Sequence, residues 1–180
     1  MKAMMRGESW QTAEIPGPKK AHVITDPRIV ASLIKRSSRP ILVVGGEADE
    51  AVVNYAIELS KAVGMPIAAT PSTLKAFAER GFKEAHPFSA VEIGERLRDP
   101  DWEGLDGSGQ YDLALFMGFK YYVSWLILSG LKHFAKRGEG YLTTVSLDPY
   151  YQPHASWSLP NLTRERWEEN IKGLLHHLGR

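Results

Sequence analysis

Two small groups of glycine and hydroxyl residues follow apolar runs, and they are the residues of this chain best suited to hold a cofactor. Gly45 and Gly46 come after one run, and Thr70, Pro71 and Ser72 come after the next. Glycine lets a phosphate or a ring approach the backbone, and the residues that open a helix present free N–H groups to a diphosphate. This pattern favours nucleotide binding.

Two further candidate residues, Gly118 and Asp148, follow later apolar runs. An aspartate at such a place can accept hydrogen bonds from a ribose. The alternative is structural, because Gly-Gly after a strand often forms only a tight turn and aspartate often only caps the next element. The G-x-G-x-x-G fingerprint is absent, and Glu47 and Asp49 follow Gly46 instead. Two carboxylates there would repel a diphosphate.

Catalytic and metal-binding groups are sparse in the sequence. Six histidines are scattered along the chain, and cysteine is absent. His176 and His177 are adjacent on a predicted helix and cannot share a metal in the i, i+4 manner. The other four histidines are interpreted as surface or loop residues. Without cysteine, disulfides, thiolate-bound zinc and cysteine-bound iron–sulfur clusters are excluded. We therefore predict no catalytic residue and no metal site in this chain.

The composition is that of an ordinary globular protein. The chain is 43% hydrophobic and 24% charged, with 22 Lys plus Arg against 21 Asp plus Glu. Nothing in this balance favours nucleic acid or an anionic membrane. The longest apolar stretch, residues 121–131, is too short to span a bilayer, and the chain start lacks the apolar core of a signal peptide. We expect a cytoplasmic protein.

The candidate residues need a scaffold that brings strand ends together. Strands are predicted to centre on Val43, Ala68, Leu115 and Val145, with a shorter strand-like piece near residues 155–159. Because strands alternate with helices, we predict right-handed crossovers and a Rossmann-like, three-layer, doubly wound α/β fold with a mainly parallel sheet. In such sheets, ligands bind at the carboxyl ends of the strands, near the topological switch point.

Local signals indicate where helices begin and end. Asp26 followed by Pro27 predicts one helix start, and Asp49 or Glu50 predicts the next. Gly64 is well placed to end that second helix. A third helix is predicted to open at Ser72, and a last one is predicted to be capped by Asn161 or Thr163.

The chain is predicted to form one domain preceded by an arm. Residues 1–21 look irregular, and we interpret them as an arm that lies on the domain or reaches a partner. Residues 22–180 form the domain, with no internal repeat. His86-Pro87 is interpreted as loop, and residues 89–97 as a helix.

Aromatic residues are concentrated in two places. The helix predicted near residues 120–134 is apolar almost all round, so we expect it to be buried on several sides. The domain core is the favoured explanation, and contact with a partner subunit is the alternative. Tyr150, Tyr151 and Trp157 form a second cluster, which could stack on a cofactor ring or anchor an interface.

A broad family resemblance covers residues 39–148. The segments RPILVVGGEA, VGMPIAAT, AHPFSAVEIG, YDLALFMG and TVSLDP resemble the NAD/FAD-binding-like central domain of thiamine-diphosphate enzymes. Some members of that family bind FAD or ADP there, and others leave the domain empty. The resemblance implies FAD as the candidate cofactor, without firm binding. The G-K-G that commonly follows the second strand is replaced by Ser72-Thr73-Leu74-Lys75.

A narrower resemblance covers nearly the whole chain. The segments EIPGPKKAHVI and IKRSSRPILVVGGEA resemble the epsilon-subunit family of the archaeal acetyl-CoA decarbonylase/synthase complex, which contains carbon monoxide dehydrogenase. This implies a role in one-carbon and acetyl-CoA metabolism and in methanogenesis. It also implies an alpha-two epsilon-two component in which the alpha subunit holds the nickel–iron–sulfur chemistry. The epsilon role is then to stabilise alpha or to help electrons reach FAD.

Two other interpretations stay open at this stage. One is an independent FAD- or NAD-dependent oxidoreductase domain, which would need bound cofactor and turnover without partners. The other is a purely structural module whose crevice is filled by its own side chains. A homo-oligomer of the isolated chain is also compatible with the sequence.

Overall fold

The structure is a computed structural model that describes residues 20–138 and 140–179. Most of the arm predicted over residues 1–21 lies outside the described residues. The strands β1 to β9 span His22–Val23, Pro40–Val44, Ile67–Ala69, Ala85–Pro87, Leu113–Met117, Lys136–Arg137, Gly140–Tyr141, Thr143–Ser146 and Trp157–Ser158. The helices α1 to α6 span Pro27–Arg36, Glu50–Val63, Pro71–Glu79, Ala90–Arg98, Tyr121–Phe134 and Arg164–Leu178.

Seven of the strands form one sheet in the order β1-β9-β8-β5-β2-β3-β4. Every neighbouring pair in it is parallel. The predicted doubly wound, mainly parallel α/β fold is confirmed, and the four predicted strand centres lie in β2, β3, β5 and β8. The strand order reverses direction between β2 and β5, so the topological switch point lies between Gly45 and Gly118.

Two hydrophobic layers cover the two faces of the sheet. Leu42 and Val44 of β2 join the layer formed with α1, α2, α3 and α6, where Trp167 is fully buried. Ile41 and Val43 point the other way, into the layer formed with α4 and α5. Because β2 is covered on both faces, its sequence is a continuous apolar run and does not alternate between apolar and polar residues.

Most predicted helix ends are confirmed. Asp26 caps α1 and is followed by Pro27 in the first turn, and Asp49 caps α2. Gly64 ends α2 in the left-handed region with φ of 68°. Thr163, the second of the two candidates, caps α6.

Three local predictions need correction. Helix α3 begins at Pro71 rather than Ser72, because the fixed φ of proline suits the first helical position. The predicted loop at His86 and Pro87 is the edge strand β4, where a proline is tolerated because one side of the strand has no neighbour. The antiparallel hairpin of β6 and β7 was not predicted.

Helix α5 packs on the sheet and against α4, and its outer side is exposed, so the expectation of burial on several sides holds for part of its circumference only. Ser124, Leu128 and Leu131 are the buried residues of the helix, and the two leucines pack with Ile41 and Val43 of β2 in one core cluster. Tyr122 and Leu126 on the outer side are 61% and 63% exposed. The reason is that α5 lies in an outer layer with no further layer above it. Within the residues that the structure describes, no helix is both long enough and apolar enough to cross a membrane.

Candidate functional site

The seven predicted site residues lie at one edge of the sheet, where β2, β3, β5 and β8 end, but they fall into two groups. Backbone hydrogen bonds join the turns after β2 and β5: Gly45 N donates to Met117 O at 2.9 Å, and Glu47 N donates to Gly118 O at 2.8 Å. Gly118 N donates to Asp148 Oδ1 at 2.6 Å. Gly45, Gly118 and Asp148 are buried, whereas Gly46, Pro71 and Ser72 are exposed beside the half-buried Thr70.

The two buried glycines make room for the chain itself. A Cβ at Gly45 would lie 2.4 Å from Gly118 O and 2.6 Å from Phe119 Cγ. At Gly118, where φ is 75°, a Cβ would lie 2.8 Å from the Cβ of Ala48. The close approach that glycine allows here is therefore between two turns of the same chain.

Asp148 supports the turn after β5 and is closed to solvent. Its side chain is only 3% exposed, and Oδ1 accepts the hydrogen bond from Gly118 N. Its Oδ2 has no hydrogen-bond partner among the described residues. Burial raises the pKa of the carboxyl to about 7. A ribose hydroxyl cannot reach this carboxyl in the observed conformation.

The helix end that could receive a diphosphate is already capped. Val52 N at the start of α2 donates to Asp49 Oδ1 at 2.9 Å, and Asp49 Oδ2 lies 2.9 Å from Arg164 Nη1. Glu47 lies beside it, with Oε1 at 3.5 Å from Lys120 Nζ. The carboxylate of Asp49 thus occupies the place at the positive helix end where a diphosphate would bind.

The open part of the predicted site is small. A Cβ at Gly46 would meet only two side-chain oxygens, Ser72 Oγ at 2.9 Å and Thr70 Oγ1 at 3.6 Å. Helix α3 has no side-chain cap, and its first residue, Pro71, has no N–H to offer. In this conformation the residues therefore do not fit FAD in the arrangement that the family resemblance implies. Cofactor binding by the seven residues stays a prediction.

The second aromatic cluster mainly fixes loops. Tyr151 is buried, and its hydroxyl donates to Ala21 O at 2.7 Å, which ties the start of the described chain to the turn after β8. The Tyr150 hydroxyl donates to Phe119 O at 3.2 Å. These contacts indicate that the two tyrosines have a structural role, in which they hold neighbouring loops together.

Sequence reasoning missed the burial of His154, although the residue does lie in a loop, between β8 and β9, as one of the two predicted settings. The structure buries this residue completely, with 0% exposure, and neither ring nitrogen has a hydrogen-bond partner among the described residues. The His154 ring packs edge-on against Trp125, with centroids 4.5 Å apart. The only signal in the sequence was its position between two aromatic-rich segments. Among the described residues, no group of three or more His, Asp or Glu side chains could hold a metal ion.

Comparison with known proteins identifies the family. Residues 3–175 match the family model described as CO dehydrogenase beta subunit/acetyl-CoA synthase epsilon subunit. The chain is 42% identical to acetyl-CoA decarbonylase/synthase complex subunit epsilon 1 of Archaeoglobus fulgidus, over 78% of this chain and 74% of that protein. It is 36% identical to subunit epsilon of Methanothermobacter thermautotrophicus, over 88% of each chain. Subunit epsilon of Methanothrix soehngenii is 38% identical, over 85% of this chain and 80% of that protein. The chain therefore belongs to the family of CO dehydrogenase beta subunits and acetyl-CoA synthase epsilon subunits.

Proposed function

We propose that this chain is a non-catalytic epsilon subunit of an acetyl-CoA decarbonylase/synthase complex, where it binds and stabilises the carbon monoxide dehydrogenase alpha subunit. The relatives that it matches carry the name of that complex. The observation that carries the proposal is the exposed apolar surface of α4 and α5. Such a surface needs a partner, because soluble monomers rarely expose large contiguous apolar patches.

This surface forms a groove between the two helices. Leu126 of α5 and Val91 of α4, which are 63% and 73% exposed, line one cavity of about 170 Å³. Gly94 and Gly130 also line it, and a Cβ at Gly130 would have no neighbour within 4 Å. Phe134, 62% exposed, lines an adjacent cavity of about 720 Å³. We call these five residues the α4–α5 groove.

The margin of the α4–α5 groove is charged. Side chains of both signs line the larger cavity beside Phe134: Glu92, Glu95, Arg96, Arg98 and Asp99. An apolar centre with a polar margin is the usual anatomy of a specific subunit interface. Binding through it would stabilise both partners, since any ligand that binds only the folded state shifts the unfolding equilibrium.

The catalytic chemistry is assigned to the partner. With no cysteine, this chain cannot supply the thiolates that hold iron–sulfur clusters. Help with electron transfer to FAD is the other role that the family resemblance implies. Since the crevice does not fit FAD in this conformation, we propose no flavin step for the isolated chain.

The test is co-purification of the alpha subunit with tagged variants of this chain after co-expression. Leu126→Asp places a charge in the α4–α5 groove and should reduce recovery of alpha by about tenfold or more. The same variant should leave the melting temperature of the isolated chain nearly unchanged, because Leu126 is largely exposed.

The matched control is Arg166→Asp, an exposed position in the first turn of α6, in the opposite helix layer. It should leave recovery of alpha unchanged. Stoichiometric recovery of alpha with Leu126→Asp would show that the α4–α5 groove is not the contact surface. Failure of the wild-type chain to recover alpha at all would overturn the proposed function itself.

A further inference from the structure

The outer side of helix α5 carries a ridge of residues spaced four apart. They are Tyr122, Leu126, Gly130 and Phe134, and residues at this spacing are neighbours on a helix surface. Each of the three large side chains is more than half exposed. The ridge therefore presents apolar surface to solvent over nearly the whole length of the helix.

Gly130 leaves a gap in this ridge. A Cβ at this position would have no neighbour within 4 Å among the described residues, so packing within that part of the chain does not require a glycine. The backbone here is that of an ordinary helix, and glycine destabilises a helix interior relative to alanine. The gap is therefore a feature that contact with another molecule would use.

The ridge also lacks charge over most of its length. Residues 121–131 of α5 contain no Lys, Arg, Asp or Glu, although the outer side of the helix is exposed. The neighbouring helix α4 differs, since Glu95 and Arg98 form an ion pair on its surface. Two copies of α5 can thus meet face to face without bringing like charges together.

A large side chain and a gap on one helix are complementary to a second copy of the same helix. Leu126 and Gly130 lie one turn apart, about 6 Å along the axis. When two α5 helices lie antiparallel about a two-fold axis that passes between these residues, Leu126 of each copy lies over Gly130 of the other. The same operation brings Tyr122 of each copy towards Phe134 of the other. Ridges with this spacing interlock at a crossing angle of about −50°.

We propose that two copies of this chain associate through α5, antiparallel about a two-fold axis, with Leu126 of each copy in the α4–α5 groove over Gly130 of the other. The cavity of about 170 Å³ beside Gly130 is the space that receives this leucine. The dimer itself does not depend on the proposed function. Because it covers Leu126, it excludes the alpha subunit from the groove, and this exclusion rests on the proposed function.

The test is sedimentation equilibrium of the full chain at protein concentrations from about 1 μM to about 1 mM. The wild type should show a monomer–dimer equilibrium with a dissociation constant of about 10 to 100 μM, as expected for a small interface. Gly130→Leu opposes two leucines in each contact, and Leu126→Ala removes the side chain that fills the gap. Each variant should raise the dissociation constant about tenfold or more.

A double variant tests the pairing itself. Leu126→Ala combined with Gly130→Leu exchanges the large and the small position, so the antiparallel contact is complementary again. Its dissociation constant should return to within about threefold of the wild type. The control is Lys172→Leu, which adds a leucine at an exposed position of α6 in the opposite helix layer and should leave the dimer unchanged.

Melting temperatures show whether these variants fold. At about 1 μM, where the monomer predominates, every variant should melt within about 3 °C of the wild type. The reason is that Leu126 is largely exposed and that a side chain at Gly130 meets open space.

Three results would overturn one proposal each. A single monomeric species at every concentration up to about 1 mM would overturn the dimer. A double variant that associates no more tightly than either single variant would overturn the pairing of Leu126 with Gly130. Dimer formation by a chain that fails to recover the alpha subunit would overturn the proposed function and leave the dimer in place.

Discussion

At the scale of single residues, Gly45 and Gly46 are adjacent in the chain and have different surroundings. A Cβ at Gly45 would meet the backbone of Gly118 at 2.4 Å, and one at Gly46 would meet Ser72 Oγ at 2.9 Å. Backbone cannot move without disturbing both turns, whereas a serine side chain can rotate. Gly45→Ala should therefore lower the free energy of unfolding by about 2 to 3 kcal/mol, and Gly46→Ala by less than about 1 kcal/mol. Urea unfolding of both variants checks this, and equal losses would contradict it.

Asp148 should make stability depend on pH. Its carboxyl has an ordinary pKa of 3.8 in the unfolded chain and about 7 in the fold. Between about pH 4 and pH 7 the unfolded state therefore loses a proton that the folded state keeps, so raising the pH removes stability. At about 1.4 kcal/mol per tenfold change in acidity, the loss amounts to roughly 4 kcal/mol above pH 7.

Asp148→Asn should remove this dependence, because an amide resembles the neutral carboxyl and keeps an oxygen for Gly118 N. The variant should gain stability relative to the wild type at about pH 8, by up to roughly 4 kcal/mol, and the gain should vanish near pH 4. The lowered pKa of His154 has the opposite effect, because it removes stability as the pH falls. The variant must therefore be compared with the wild type at each pH, where His154 contributes equally to both. A gain that is the same at both pH values would show that the carboxyl is not neutral in the fold.

At the scale of elements, the start of α2 is fixed by one carboxylate with two partners. Asp49 caps the helix through Val52 N and contacts Arg164 of α6. Asp49→Ala removes both contacts and should cost about 1 to 2 kcal/mol of unfolding free energy. Asp49→Asn keeps the cap and loses only a solvent-exposed ion pair, so it should cost less than about 1 kcal/mol. Chemical unfolding separates the two variants, and an equal cost would mean that the ion pair rather than the cap stabilises this end.

At the scale of the whole molecule, the isolated chain should not bind FAD tightly. The helix end is capped, Asp148 is buried, and the carboxylates of Glu47 and Asp49 stand at the mouth of the crevice, each paired with a basic side chain. A titration followed by flavin fluorescence should show no binding tighter than about 1 μM. Any weaker binding should be abolished by Gly46→Leu, since a larger side chain there collides with Ser72. Nanomolar affinity of the wild-type chain would contradict this, and weak binding unaffected by Gly46→Leu would place the flavin elsewhere.

The isolated chain should also lack carbon monoxide oxidation. Its sequence has no cysteine to hold the redox clusters that such chemistry needs. The purified chain, assayed with carbon monoxide and an artificial electron acceptor, should show no turnover above buffer. Activity without any other subunit would refute the accessory role.

Local patterns in the sequence determined the fold class and most element ends. Short apolar runs predicted β2, β3, β5 and β8, and capping residues such as Asp26, Asp49 and Thr163 marked helix starts. These signals are readable because they depend on neighbours within a few residues. Since parallel strands end at a common edge, the sequence also placed all seven candidate residues at one edge of the sheet.

Only the tertiary structure decided which surfaces are open. A hydrogen bond joins Gly118 to Asp148 across 30 residues of sequence. No local pattern shows that Asp148 is engaged in this way and is therefore not available to bind a ribose. An apolar helix such as α5 looks the same in sequence whether another layer covers it or not, so its exposed outer face could not be foreseen. Likewise, the aromatic-rich segments on either side of His154 do not determine its burial, because its surroundings come from α5 and from β1, which are distant in the chain. Composition and periodicity indicate whether a residue favours a helix, a strand, the interior or the surface. Packing between segments that are distant in the chain decides which residues it contacts.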